Sequence, residues 1–509
     1  SPRVTKPYTE DQWQAVLALG EQVDAELVGG DVRLTMGGEP TFVSVDDRDG
    51  AEWNTDALGP TKRLYATELV QRLRDEYGQG GFLHFGQGKW YPGEQLPRWA
   101  LSAYWRADGQ PCWHDMSLFA DERDNHQYTS ADAKRFMLGL TARLGLTDQF
   151  VQTGYEDTWY YLWRERRLPV NVDPFDSRLD DELERMRLRR VFDQGLEQEI
   201  GYVLPIKPAE GPTLDGPRWV TGPWFFRDER MYLVPGDSPM GYRLPLDSLP
   251  WVAKKDYPFL IEQDPFAPRD ALPAAHVVRQ QYAAHVAGGG FAEGGTVALQ
   301  GGAFDGDYGF GDIYGQADAS TATGSTAGHP REGGDPRAQT ASDGDIGGTG
   351  RARALSPLDG LSAEELARHP QRFESAHWIT RTALCVEVRD PRRANGPKAE
   401  KVGSPSGVMY VFMPPLARLE DYLGLLAAIE ATAAAQGVKI VLEGYPPPRD
   451  PRLTLLQVTP DPGVIEVNIH PAKNWRQLVQ HTEFLYDAAW KTRLSAEKFM
   501  VDGRHTGTG

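Results

Sequence analysis

The sequence predicts an α+β protein, and three observations carry that expectation. Stretches with apolar residues at helical spacing, bounded by capping residues and glycines, recur along the chain. Between them lie short apolar runs closed by Pro, Gly and Asp, the pattern of strands. Residues 287–350 hold 19 of the 54 glycines and few large apolar side chains. Such a segment buries too little to offset its ordering entropy, so it reads as a flexible linker or insertion between two ordered parts. The expected division is 1–285, 286–355 and 356–509.

A helix is predicted over 9–30: Thr9 and Gln12 fit a capping box, Trp13, Val16, Leu17 and Val23 recur in phase, and Gly29-Gly30 stops it. Residues 31–47, "DVRLTMGGEPTFVSVDD", read as strand on both sides of a glycine pair. Helices follow near 60–77, with Leu64, Val70, Leu73 and Tyr77 in phase, and near 131–144. Residues 86–106 are rich in Trp, Tyr, Gly and Pro, 179–199 form a heavily charged helix, and 201–270 give short strands broken by Pro and Gly. The amino-terminal part is therefore α/β or α+β. Beyond 375, "HWITRTALCVEVRD" and "GVMYVFMPP" read as paired strands. A strong helix spans 418–437, with Leu419, Leu423, Leu426 and Ile429 on one stripe and Gly437 at its end. "VKIVLEGYPPP" is a strand into a turn, 453–470 a strand–turn–strand, and 474–494 a helix.

The 509 residues carry 54 Lys and Arg against 72 Asp and Glu, a net charge of -18. Nucleic acid and anionic membranes both demand a basic footprint, so neither is expected as the main partner. The two cysteines, Cys112 and Cys385, allow one bridge at most, which favours a reducing compartment and a cytoplasmic location. No apolar run reaches membrane-spanning length.

Chemistry concentrates in "VTPDPGVIEVNIHPA", residues 458–472. Ile465, Val467 and Ile469 alternate with Glu466, Asn468 and His470, so three polar groups point one way, about 7 Å apart. Carboxylate and imidazole are ligand types for divalent metals. An antiparallel strand with one wet face shows the same alternation.

The order of motifs from 380 to 509 adds context. A strand with Glu387, a helix, "LEGYP" with Glu443, "PDPGVIEVN" with Glu466, a helix and "FMVDGRHTGTG" follow one another. This order resembles the glutamine synthetase superfamily of carboxylate–amine ligases. There a strand ends in "EG", a "PG" turn leads to a metal-binding Glu, and an "FMPKP" segment precedes a His-containing glycine loop. More narrowly, the chain resembles a bacterial amidoligase family whose domain often follows a transglutaminase-like domain on one polypeptide. The resemblance implies a glutamine-synthetase-like antiparallel sheet backed by helices, incomplete at its carboxyl end. It also implies ATP- and Mg2+-dependent amide formation through an acyl phosphate, on peptide or protein carboxylates and amines. Hard oxygen ligands would converge on one cavity to neutralise phosphate charge during transfer.

Carried over by residue, the resemblance makes Glu466, Glu387, Glu443 and Glu39 (in "GGEPTF") metal ligands and His505 the catalytic loop histidine. Asn468 and His470 would orient a ligand carboxylate. The second acid expected near Glu387 is replaced by Cys385 and Arg389, and Gln457 and Asp461 stand in imperfectly for the acid before the "PG" turn. The superfamily histidine follows the glycines, whereas His505 precedes them. Lys89 in "GQGKWYPGE" is the candidate phosphate contact, without P-loop spacing. Two further readings remain. Trp90, Tyr91, Trp99, Tyr104 and Trp105 would build a non-catalytic peptide- or glycan-binding platform. Cys112 with His114 would make a thiol hydrolase.

Overall fold

A computed structural model of the chain describes residues 8–171, 197–283, 368–390 and 407–507, apart from 33–36, 95–96, 210–218, 236–239, 500–504 and a few shorter gaps. The glycine-rich segment and most of the expected charged helix lie outside these residues.

The first helix, α1 (Glu10–Gly29), starts at the expected capping box: the Gln12 amide donates to Thr9 Oγ1 and the Thr9 amide to Gln12 Oε1. Its apolar stripe does not become core, since no α1 residue is buried. Strand β1 (Thr41–Ser44) follows the Gly37-Gly38 pair. Helix α2 (Pro60–Tyr77) opens on a proline, whose fixed φ and missing N–H suit a first helical turn. It leads into the antiparallel pair β2 (Phe82–Gln87) and β3 (Trp99–Arg106). Helix α3 (Ser130–Arg143) precedes β4 (Gln152–Glu156) and β5 (Glu199–Pro205). The short strands β6 (Lys207–Pro208) and β7 (Trp219–Val220) form a separate ribbon. Strands β8 (Met231–Pro235) and β9 (Tyr242–Arg243) and helix α4 (Ala275–Ala283) complete the amino-terminal half.

The carboxyl-terminal half runs β10 (Ala383–Arg389), β11 (Val408–Met413), α5 (Leu419–Gln436), β12 (Ile440–Gly444), β13 (Leu453–Asp461), β14 (Val464–Asn468), α6 (Trp475–Lys491) and β15 (Leu494–Ser495). A hairpin of β16 (Glu497–Phe499) and β17 (His505–Gly507) ends the described chain. Helix α5 forms as its stripe requires: Leu419, Leu423, Leu426 and Ile429 are all buried, and Gly437 closes it at φ 62°, a left-handed turn that glycine adopts without Cβ strain.

Among the described residues, thirteen strands form one sheet in the order β15-β1-β14-β13-β3-β2-β12-β11-β10-β5-β4-β8-β9. Strands from both halves of the chain interleave: β2 and β3 sit between β13 and β12. The sheet is mixed, which corrects the antiparallel expectation. β11 pairs β12, β12 pairs β2 and β4 pairs β8 in parallel. The cause is visible at α5: a helix between β11 and β12 carries the chain back, so the second strand runs with the first.

The register defines two faces. Val467, Val458, Leu101, Phe85, Glu443, Phe412, Cys385 and Val203 lie opposite one another across eight neighbouring strands and share a face. Helices α2 and α6 contribute Leu69, Leu73, Leu485 and Ala488 to the core on that side. The other face buries Phe82, Tyr104, Met409, Val411, Leu384 and Tyr202 beneath α3, α4 and α5.

Candidate functional site

Glu466 sits at the middle of β14, with Thr41 of β1 and Thr459 of β13 as its cross-strand neighbours. The "PDPG" turn that delivers it has Gly463 at φ 73°. Ile465 and Val467 point into the core, so the pleat turns Glu466 and Asn468 to the opposite side, as the alternation predicts. Asn468 Nδ2 donates to Glu466 Oε1 at 2.9 Å, and Thr459 Oγ1 lies 3.5 Å from that oxygen. Lys89 Nζ bridges both carboxylate oxygens at 3.1 and 3.2 Å. The pair is asymmetric: the Glu466 side chain is 6% exposed and that of Lys89 is 45% exposed.

Lys89 reaches this point from the loop after β2. The Gly88 amide donates to the Arg98 carbonyl and the Arg98 amide to the Lys89 carbonyl, which extends the β2–β3 ladder. At Gly88 a Cβ would lie 3.0 Å from the Trp99 carbonyl oxygen, so the close backbone approach suits glycine. The hydrogen bond that Lys89 donates to Glu466 raises the ammonium pKa, and the charges of Glu466, Asp461 and Glu39 add to it. Glu39 itself is exposed. Asp461 is held by the buried Arg98, which also donates to Glu94 at 2.8 Å and stacks over Tyr91 at 4.5 Å. Gln457 is engaged elsewhere, donating to Ser102 Oγ at 3.0 Å.

Glu387 and Glu443 form a separate cluster. Both are buried and both are gripped by the buried Arg389: Nη1 donates to Glu387 Oε1 at 2.6 Å and to Glu443 Oε1 at 2.8 Å, and Nη2 donates to Glu443 Oε2. The guanidinium lies 3.5 Å above the Tyr410 ring. Tyr410 donates its hydroxyl to Glu122 at 2.7 Å, and Glu122 accepts from Arg63 on α2. Burial raises the Glu443 carboxyl pKa against the opposing pull of Arg389. The network is flanked by two small cavities, about 50 Å³ beside Arg63 and Glu122 and about 20 Å³ beside Glu387, Cys385 and Phe412.

The two clusters lie on opposite faces. Glu443 shares a face with Val467, and Glu466 is the next residue along β14. Glu387 and Arg389 stand two and four residues from Cys385 on β10, on the Glu443 side. The fold thus brings together Glu466, Lys89 and Asn468, with Glu39 near them, and separately Glu387 with Glu443. Among the described residues, no three His, Cys, Asp or Glu side chains converge as a metal-binding group.

His470 departs from its expected place. β14 ends at Asn468, ahead of Pro471, and the His470 ring packs against Trp105, Tyr77 and His481 at 5.1, 4.7 and 4.3 Å. Burial and the neighbouring His481 push its pKa down to about 4. His505 lies on β17, paired with Phe499, and its side chain is outside the described residues.

The aromatic stretch does not form one platform. Trp99 and Tyr104 are buried in opposite cores and Trp105 packs on His470, which leaves only Trp90 and Tyr91 exposed. The thiol reading also fails. Burial pushes Cys112 up to about 12, and its intended partner His114 faces Glu430, 3.2 Å from Nδ1. The sequence reading missed Arg63, Glu122 and Tyr410 of the network, as well as Arg98 and Thr459. The adjacency of Glu387 and Arg389 in one strand, readable as surface pairing, is the signal that could have led to this cluster.

The fold is a mixed α+β scaffold that carries two carboxylate clusters, each answered by a basic side chain. The chain belongs to the family described as "Putative amidoligase enzyme", whose model matches residues 1–509. No curated protein and no solved structure matches it. Among the described residues, no helix is long and apolar enough to cross a membrane.

Proposed function

We propose that this protein joins a carboxylate to an amine at the expense of ATP, through an acyl phosphate, with the Glu466 cluster at the reacting end. The observation that carries the reading is the Glu466–Lys89 pair: a buried carboxylate, oriented by Asn468, whose cationic partner is half exposed. A lysine ammonium is a compact charge on a flexible stem. Lys89 can leave Glu466 and meet a phosphate oxygen without disturbing the strand that holds the carboxylate.

The donors present suit Mg2+ in one respect. That ion takes one or two protein carboxylates and completes its shell with water and substrate phosphates, so no all-protein cage is needed. Glu466, with Glu39 nearby, would hold it on this face; Glu387 and Glu443 are committed to Arg389 on the other. When bound, Mg2+ neutralises phosphate oxygens during transfer. Asn468 and Thr459 keep the Glu466 carboxylate aimed, and Lys89 supplies positive charge to the transferred group. The acid and amine are proposed to be groups on peptides or proteins, with a transglutaminase-like domain as partner on the same polypeptide and a cytoplasmic location.

Mg2+-dependent ATP turnover by the full-length protein tests the reading. Glu466→Gln and Lys89→Met each remove one charge at nearly constant volume. Each is expected to lower turnover by roughly 100-fold or more, the scale of losing one electrostatic group in a phosphoryl-transfer or acyl-transfer site. Turnover within a fewfold of the unaltered protein in both variants would overturn the assignment.

A further inference from the structure

A cavity of about 230 Å³ lies near the β9 edge of the sheet, lined by Arg243, Arg381, Leu246, Leu249, Trp251 and Tyr257, among others. It is about six strand spacings of ~4.8 Å, or ~29 Å along the sheet, from Glu466 on β14 to the start of β10 where Arg381 stands. It is thus a different place from the proposed reacting end.

Arg381 is built in. The residues on either side are clamped: Trp224 Nε1 donates to the Thr380 carbonyl at 2.6 Å, and Thr382 Oγ1 donates to the Ile206 carbonyl at 2.6 Å. The guanidinium donates Nη2 to the Pro250 carbonyl and lies 5.7 Å from the Tyr257 ring centre. Its Nε is buried and has no hydrogen-bond acceptor, and among the described residues no carboxylate forms an ion pair with it. Burial lowers its pKa, against a smaller opposing pull from Tyr257 and Asp247. Arg243 reaches Asp247 at 3.7 Å, but the Asp247 side chain is 97% exposed and faces water. A half-buried guanidinium with one nitrogen lacking an acceptor is incompletely solvated, and an anion in the cavity would add the close counter-charge it lacks.

We propose that this cavity binds a carboxylate carried on an apolar body about the size of one amino acid. The guanidinium fork matches the planar geometry of a carboxylate, with Arg243 as a second positive charge. Leu246, Leu249, Val252 and the exposed Trp251 make most of the remaining wall apolar and suit an aliphatic group, with the solvent-facing Asp247 as the one carboxylate in the lining. The proposal does not depend on the ligase reading, because it requires neither ATP nor turnover.

The test titrates N-acetyl-leucine into the full chain and follows tryptophan fluorescence, with N-acetyl-leucinamide and inorganic phosphate as parallel probes. Saturable binding of the acid and none of the amide are expected. Arg381→Lys keeps the charge but loses the fork, and should weaken binding roughly tenfold or more. Arg243→Gln alters a partly exposed edge residue and should also weaken it, which covers the case in which Arg381→Lys fails to fold. No saturable binding of the acid, equal binding of acid and amide, or unchanged affinity in the folded variants would overturn the proposal. Phosphate binding tighter than the acid would remove the apolar body from it.

Discussion

Replacing Arg389 by Met keeps most of the side-chain volume and removes the cation shared by Glu387 and Glu443. In the intact protein three donated hydrogen bonds and the Tyr410 face hold that guanidinium, which is 4% exposed. The variant leaves two carboxyls buried without a positive partner. Breaking a buried ion pair on one side costs about 3–5 kcal/mol, because the remaining charge must be neutralised or solvated. The cost has a definite pH dependence. Glu443 already has a raised pKa through burial, and removing Arg389 removes what pulled it down. A carboxyl whose folded pKa lies above its unfolded value destabilises the fold increasingly as pH rises above that unfolded value. Denaturant unfolding at pH 8 should therefore show the full loss, and at pH 5 a smaller one. Adding Glu443→Gln to Arg389→Met removes one of the stranded charges and should restore part of the stability at pH 8. An Arg389→Met protein as stable as the parent at pH 8, or one whose loss is equal at both pH values, would refute the buried-network reasoning.

Two further outcomes follow from buried titratable groups. His84 on β2 is 3% exposed, and burial lowers its pKa from 6.5 to about 4, a difference worth about 3 kcal/mol between its two protonation states. Its contribution is fully present above pH 6.5 and is lost as pH falls toward 4, so His84→Phe should flatten the stability profile in that window; an unaltered slope counts against it. Burial pushes the Cys112 thiol up to about 12 and also raises the Cys385 thiol well above its usual range, so the native protein should resist iodoacetamide at pH 8 and take up label only in denaturant. Rapid native labelling of either cysteine would contradict the core placement.

Local signals carried most of the elements. Helix α5 follows from four leucine and isoleucine positions and one glycine, and β14 from two buried positions flanking Glu466. Both depend on side chains whose partners a hydrophobic pattern anticipates. Two failures share a cause of another kind. The stripe of α1 has correct helical spacing, but the helix rests on α6 through Asp24 at the Trp475 amide and Gly20 against the Trp475 ring, and none of α1 is buried. His470 continues the alternation of β14 on paper, yet the strand stops at Asn468 and the ring turns toward Trp105. A proline one residue later cannot donate to the ladder and restricts the residue before it. The Glu122–Tyr410 contact joins residues 288 positions apart, and no periodicity in either segment announces it.

The placement of the acids also sorts them by kind of partner. Glu443 meets both terminal nitrogens of a guanidinium that is itself buried and stacked on an aromatic ring. An arginine in that setting keeps its charge at every accessible pH and has five donors in a rigid fork, so the arrangement favours permanence. Glu466 instead meets an ammonium bridging two oxygens at nearly equal distance from a half-exposed stem, with the charges of Glu39 and Asp461 nearby. That contact is weak, screened by solvent and reversible. Chemistry on incoming phosphate needs a cation that can change partners, whereas holding β10, β11 and β12 to α2 needs one that cannot. The register puts the two clusters on opposite faces of one sheet, so under the proposed function substrate would engage Glu466 while the Arg389 network keeps the strands behind it in place.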